Sequence, residues 1–157
     1  MMKHALSITF IMLFGLFLGA CSEENDAPLS NVPMSEAAQL SAAVSSNSGD
    51  RVVVKGESNL PDRTQLLISL ENKAVNFQVE NKAVVMKGAF SVTLSAPTDG
   101  LKAGNYSLKA VMPVAAGQAG NVQTVIGNQG QHLSGPLTKD ISWGGRIVEV
   151  VSTYSAK

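Results

Sequence analysis

The chain has 157 residues, and its twelve Lys and Arg balance twelve Asp and Glu, so the formal net charge is zero. That length makes one small domain, and a neutral chain has no electrostatic footprint for nucleic acid. The apolar share of 45% overstates the core, because residues 1–20 hold fourteen of the apolar residues, and beyond them only Phe77, Phe90, Tyr106, Trp143 and Tyr154 are aromatic.

Lys3 precedes an apolar stretch from Ala5 to Leu18, which leads into Gly19-Ala20-Cys21. This is the layout of a secretory signal over residues 1–20. The stretch is shorter than the roughly 20 residues a membrane-spanning helix needs. Leu18-Gly19-Ala20-Cys21 resembles the lipobox of bacterial lipoproteins, and the resemblance implies acylation of Cys21, with palmitate among the chains, and attachment to the membrane. Cys21 is the only Cys of the chain, so it has no internal disulfide partner. Three acyl chains, as the resemblance implies, would bury their CH₂ groups at about 0.8 kcal/mol each, enough for stable anchoring. By resemblance to enterobacterial lipoproteins, Ser22 rather than Asp after the Cys implies delivery to the outer membrane.

Residues 21–50 are rich in Ser, Ala, Asn, Glu and Pro and predict a lipidated, flexible tether. Within it, Met34 to Val44 has good helix formers, Ser35 as a cap, and Ala37, Leu40 and Val44 on one face, which predicts a short helix. Residues 51–157 form the expected domain, where short runs of Val, Ile, Leu, Phe and Thr alternate with turn signals, the pattern of an all-β sandwich. The predicted strands are Val52 to Lys55, Thr64 to Leu70, Ala74 to Glu80, Ala83 to Met86, Phe90 to Ser95, Tyr106 to Met112 and Arg146 to Thr153. The last has mixed spacing of Ile147, Val148, Val150 and Val151, which fits either burial on both faces or a bulge. Pro61 with Asp62, Lys87-Gly88 and Asp99-Gly100 mark turns, while Pro97 and Pro113 end strands. Between Pro113 and Ile141 the strand pattern fails for too long to be a structureless loop. There Asn121 is the expected cap of a short helix with Val122, Val125 and Ile126 on one face and Gly127 at its end.

Glu71-Asn72-Lys73-Ala74-Val75 recurs as Glu80-Asn81-Lys82-Ala83-Val84. Two copies are too few for a solenoid and predict adjacent strand starts in a meander. Asn59-Leu60-Pro61-Asp62, Gly88-Ala89-Phe90 and Leu101-Lys102-Ala103-Gly104-Asn105-Tyr106 resemble segments of immunoglobulin-like domains in bacterial cell-envelope proteins. The resemblance spans residues 51 to 112 and implies an immunoglobulin-like antiparallel β-sandwich, with Tyr106 as a tyrosine corner whose hydroxyl bonds back to the backbone.

Catalytic signatures are missing: the sequence has no Gly-x-Ser-x-Gly elbow, His-Glu-x-x-His, Walker loop or EF-hand spacing. His132 is the only His after the signal segment and sits in a polar loop. The carboxylates of Glu71, Glu80 and Glu149 read as a solvated sheet face. No enzyme, cofactor or metal is expected. The stretch from Gly117 to Pro136 is rich in Gly, Gln and Asn, and its amides can both donate and accept hydrogen bonds without charge. Gln118, Asn121, Asn128, Gln131 and His132 are therefore the candidate partner-binding residues, against the plainer reading of a long surface loop. Trp143, before Gly144-Gly145, is either a core plug or an exposed binding aromatic, the first being favoured.

The expected function is that of a non-catalytic lipoprotein of the cell envelope, held in the outer membrane by its N-terminal lipid and binding or supporting an envelope protein or glycan. The alternative is an inhibitor of an exported hydrolase such as a lysozyme or a protease.

Overall fold

A computed structural model describes residues 31–157. The signal segment, the Leu18-to-Cys21 box and the first ten residues of the tether lie outside the described residues. The order of elements is β1 (Ala43–Ser48), β2 (Arg51–Glu57), β3 (Gln65–Asn72), β4 (Phe77–Val84), β5 (Ala89–Ser95), β6 (Gly104–Met112), α1 (Gly120–Ile126), β7 (Thr138–Asp140) and β8 (Arg146–Ala156). A three-stranded sheet in the order β1-β2-β5 faces a five-stranded one in the order β4-β3-β6-β8-β7, and all pairs are antiparallel.

The domain is an all-β sandwich with one short helix, as the alternation predicts. Inward positions repeat every second residue: Val52 and Val54 on β2, Leu66, Ile68 and Leu70 on β3, Phe90, Val92 and Leu94 on β5, and Tyr106, Leu108, Ala110 and Met112 on β6 are all buried in one core. In the second sheet β4 forms one edge beside β3 and the short β7 the other beside β8. Tyr106 is buried and its hydroxyl donates to the Lys102 carbonyl at 2.8 Å, which is the tyrosine corner. Its ring meets Phe77 edge-on at 5.7 Å, closing that end of the core.

Several expectations are corrected. Residues 34–44 form no helix. Ala38 and Leu40 alternate inward on an extended strap, Ser41 N–H donates to the Glu57 carbonyl at 2.9 Å, and β1 then pairs with β2. The sandwich therefore begins well before Arg51, and the second half of the expected tether is part of it. The strands predicted at Ala74 to Glu80 and Ala83 to Met86 are one strand, β4, whose pairing with β3 runs unbroken from Gln65↔Val84 to Asn72↔Phe77. Nor do the two repeat copies start adjacent strands. In the first, the Asn72 side chain accepts from Ala74 N–H and Asn76 turns left-handed, which ends β3 in one turn of 3-10 helix. In the second, Asn81 donates to the Thr93 carbonyl at 3.0 Å and the strand continues. For β8, neither a bulge nor two buried faces applies: its register with β6 is unbroken, Val148 is buried, and Val151 is exposed.

Turn chemistry follows the residues. Lys87 and Gly88 both take positive φ between Met86 and Ala89, whose backbones exchange two hydrogen bonds of 2.9 and 3.1 Å. Gly56 lies under the strap, where a Cβ would fall 2.0 Å from the Ser41 carbonyl oxygen, so the crossing requires glycine.

Candidate functional site

The strands define two ends. At one of them β3 and β8 start and β6 stops, since Leu67 pairs with Val111 and Met112 with Val148. The polar stretch from Gly117 to Pro136 folds over this end as α1 and the turns that follow. Val122, Val125 and Ile126 on α1 are buried, as predicted, and Gly127 ends the helix at a φ of 86°. Asn121 is not the cap. The helix starts at Gly120 with Ala119 before it, and Asn121 instead donates to the Asp62 carbonyl at 3.1 Å.

The five candidate partner-binding residues do not form one free surface. Gln118 is only 6% exposed; its amide accepts from Gln65 N–H at 2.8 Å and donates to the Gln65 carbonyl at 3.0 Å. It completes the backbone pairing at the start of β3, and burial keeps the amide from a partner. Asn121, half-buried, ties α1 to the β2–β3 connection. Gln131 is exposed, but its side chain lies across Gly127, where a Cβ would approach it to 2.3 Å, and accepts from Gln129 N–H at 3.0 Å. His132 is half-buried with Nδ1 3.1 Å from the Val125 carbonyl oxygen. A carbonyl can only accept, so Nδ1 carries the proton and Nε2 remains for other contacts. Asn128 is exposed at the loop tip. The surface available to a partner is thus narrower than the composition suggests: Asn128, the outer edge of Gln131, His132 Nε2 and, beside them, the exposed Gln129.

Next to this patch stands a residue that the favoured reading misplaced. Trp143 is 80% exposed and does not plug the core. It sits in the turn between β7 and β8, where Ile141 N–H donates to the Gly145 carbonyl and Gly144 N–H to the Ile141 carbonyl, both at 3.0 Å. Gly144 and Gly145 take φ of 93° and 102°, so the chain reverses immediately after the indole and its ring projects from a hairpin tip. The Gly-Gly pair was the available signal, since it marks a turn better than a bulge. Arg146 couples the hairpin to the amide loop: its N–H donates to the Gln129 carbonyl at 2.9 Å, Nη1 donates to the Leu133 carbonyl at 2.8 Å, and Nε pairs with Asp140 at 2.9 Å.

A second ion pair, Lys139 with Glu149, spans β7 and β8 on the outer face. Among the described residues no group of His, Cys, Asp and Glu could hold a metal ion, and no helix is long and apolar enough to cross a membrane. Chemically, this end can exchange neutral hydrogen bonds and present one aromatic face. No family model, curated protein or solved structure matches the chain.

Proposed function

We propose that the protein is a non-catalytic lipoprotein of the cell envelope, anchored in the outer membrane through acylated Cys21, whose β-sandwich binds or supports an envelope protein or glycan. The observation that carries this reading is the placement of the chain's one Cys at the last position of Leu18-Gly19-Ala20-Cys21, directly after an apolar signal segment. An exported chain with a single thiol has no internal disulfide to make, and acylation gives that thiol a use. The recognition patch is Asn128, Gln129, Gln131 and His132, where neutral donors and acceptors suit a polar partner.

Cells labelled with a palmitate analogue test the anchor. The expected result is label on the wild type in outer-membrane fractions and none on Cys21→Ser. Wild type that takes up no label would overturn the reading and make the protein an ordinary secreted domain with a free thiol.

A further inference from the structure

The chain enters the sandwich at the same end that carries Trp143. Met34 N–H donates to the Val125 carbonyl on α1 at 2.9 Å, so the chain meets at Met34 the helix that covers the start of β3. The β7–β8 turn lies beyond Arg146, at the end where Met112 pairs with Val148. Apolar exposure is distributed unequally between the ends. Among the described residues the large exposed apolar side chains are Val32, Val84, Met86, Trp143 and Val151. Val32 is two residues before Met34, which meets α1, Val84 pairs with Gln65 at the start of β3, and Met86 stands in the turn after it. Four of the five, between 45% and 80% exposed, therefore share one end, and only Val151 lies along the body of β8.

We infer that this end is the membrane-facing end of the anchored protein, and that the Trp143 hairpin tip rests in the lipid interface. The inference depends on acylation of Cys21 as proposed above. Ten residue steps separate Cys21 from Asn31, and even fully extended they reach no more than about 36 Å. An anchor at Cys21 thus keeps Asn31, and with it the α1 end where the chain enters, within that distance of the headgroups. Tryptophan suits that depth because its ring is apolar while its N–H can still find a polar partner, and indoles concentrate at membrane–water interfaces.

The tip is built so that it can leave water without stranding a charge. Ser142, Gly144 and Gly145 flank Trp143, and the first charged groups on either side, Asp140 and Arg146, are paired with each other. Arg63 and Lys87 at this end are outnumbered by Glu36, Glu57 and Asp62, so there is no basic patch, and the contact is apolar and interfacial and needs no anionic lipid. The geometry also narrows the partner: Asn128 and Gln129, joined to the hairpin through Arg146, are held at headgroup level, where they meet polar headgroups or a partner lying at the membrane surface.

Trp143 is the only tryptophan, so its emission reports on this site alone. Acylated protein, with the label on Cys21 verified, is reconstituted into phosphatidylcholine vesicles with and without brominated acyl chains. The expected result is a blue-shifted emission, shielded from aqueous iodide and quenched by the brominated chains. If the acylated protein emits like the Cys21→Ser protein in solution and stays open to iodide, the inference fails while the anchor stands. A blue shift without bromine quenching also overturns it, because a second copy or another protein then covers the indole. Absence of acyl label defeats the anchor reading, and the inference with it.

Discussion

Gln118 and Asn128 are both amides in the same polar stretch, yet they have opposite duties. The Gln118 amide is consumed by the N–H and carbonyl of Gln65 at 2.8 and 3.0 Å, whereas Asn128 faces solvent. Removing one side of a buried hydrogen bond leaves the other side unsatisfied, at about 1–3 kcal/mol. Gln118→Ala should therefore lower unfolding stability by that amount, and Asn128→Ala should change it by no more than about 0.5 kcal/mol, as an exposed site does. Urea titrations of the two variants check this, and equal effects would contradict the assignment. Both residues were legible as hydrogen-bonding candidates, but no local property of the sequence says which amide meets backbone and which meets water. Tyr106 was more legible, because its place after Leu101 and Gly104 resembles a strand entry of immunoglobulin-like domains, and that resemblance implies a hydroxyl returning to the chain, as it does to Lys102.

At the scale of elements, the strap before β1 shows two periodicities competing in one segment. Ala37, Leu40 and Val44 suit a helix, while Ala38, Leu40, Ala42 and Val44 suit a strand. The extended form prevails because partners wait for it: the Asn59 side chain accepts from Gln39 N–H at 2.7 Å and donates to the Ala37 carbonyl at 2.9 Å, and Ser58 Oγ donates to the Gln39 carbonyl at 2.7 Å. Helix propensity in so short a segment is too weak to compete with such contacts. Leu40 is buried beneath the strap, and Leu40→Ala should cost about 2–5 kcal/mol. A tether free of the sandwich would tolerate the change, so an unaltered urea midpoint would show the strap to be undocked.

At the scale of the molecule, one core among the described residues joins both sheets, α1 and the strap, with Leu40, Val54, Ile68, Leu94, Leu108 and Ile126 in a single cluster. A single-domain core of this kind predicts one cooperative transition. In the Cys21→Ser protein, circular dichroism should report that transition in urea, while Trp143 emission stays solvent-like and changes little, because the indole is already exposed when folded. A large red shift on unfolding would mean that the indole is covered in the native domain.

What the sequence by itself determined follows from local chemistry: the period-two strands of the core, the turns at Pro61, Gly88 and Gly100, and the helix with Val122, Val125 and Ile126. Each depends on residues close together in the chain. Only the tertiary structure decided that the strap belongs to the sandwich, that two predicted strands are one, that Gln118 and Asn121 are occupied, and that Trp143 projects from the end where the chain enters. Those outcomes depend on which backbone groups lie opposite one another across the fold, as with Gln118 and Gln65, 53 residues apart. A pairing at that distance leaves no periodicity in the sequence, because the cost of closing the loop is met by the rest of the core and not by the residues that finally meet.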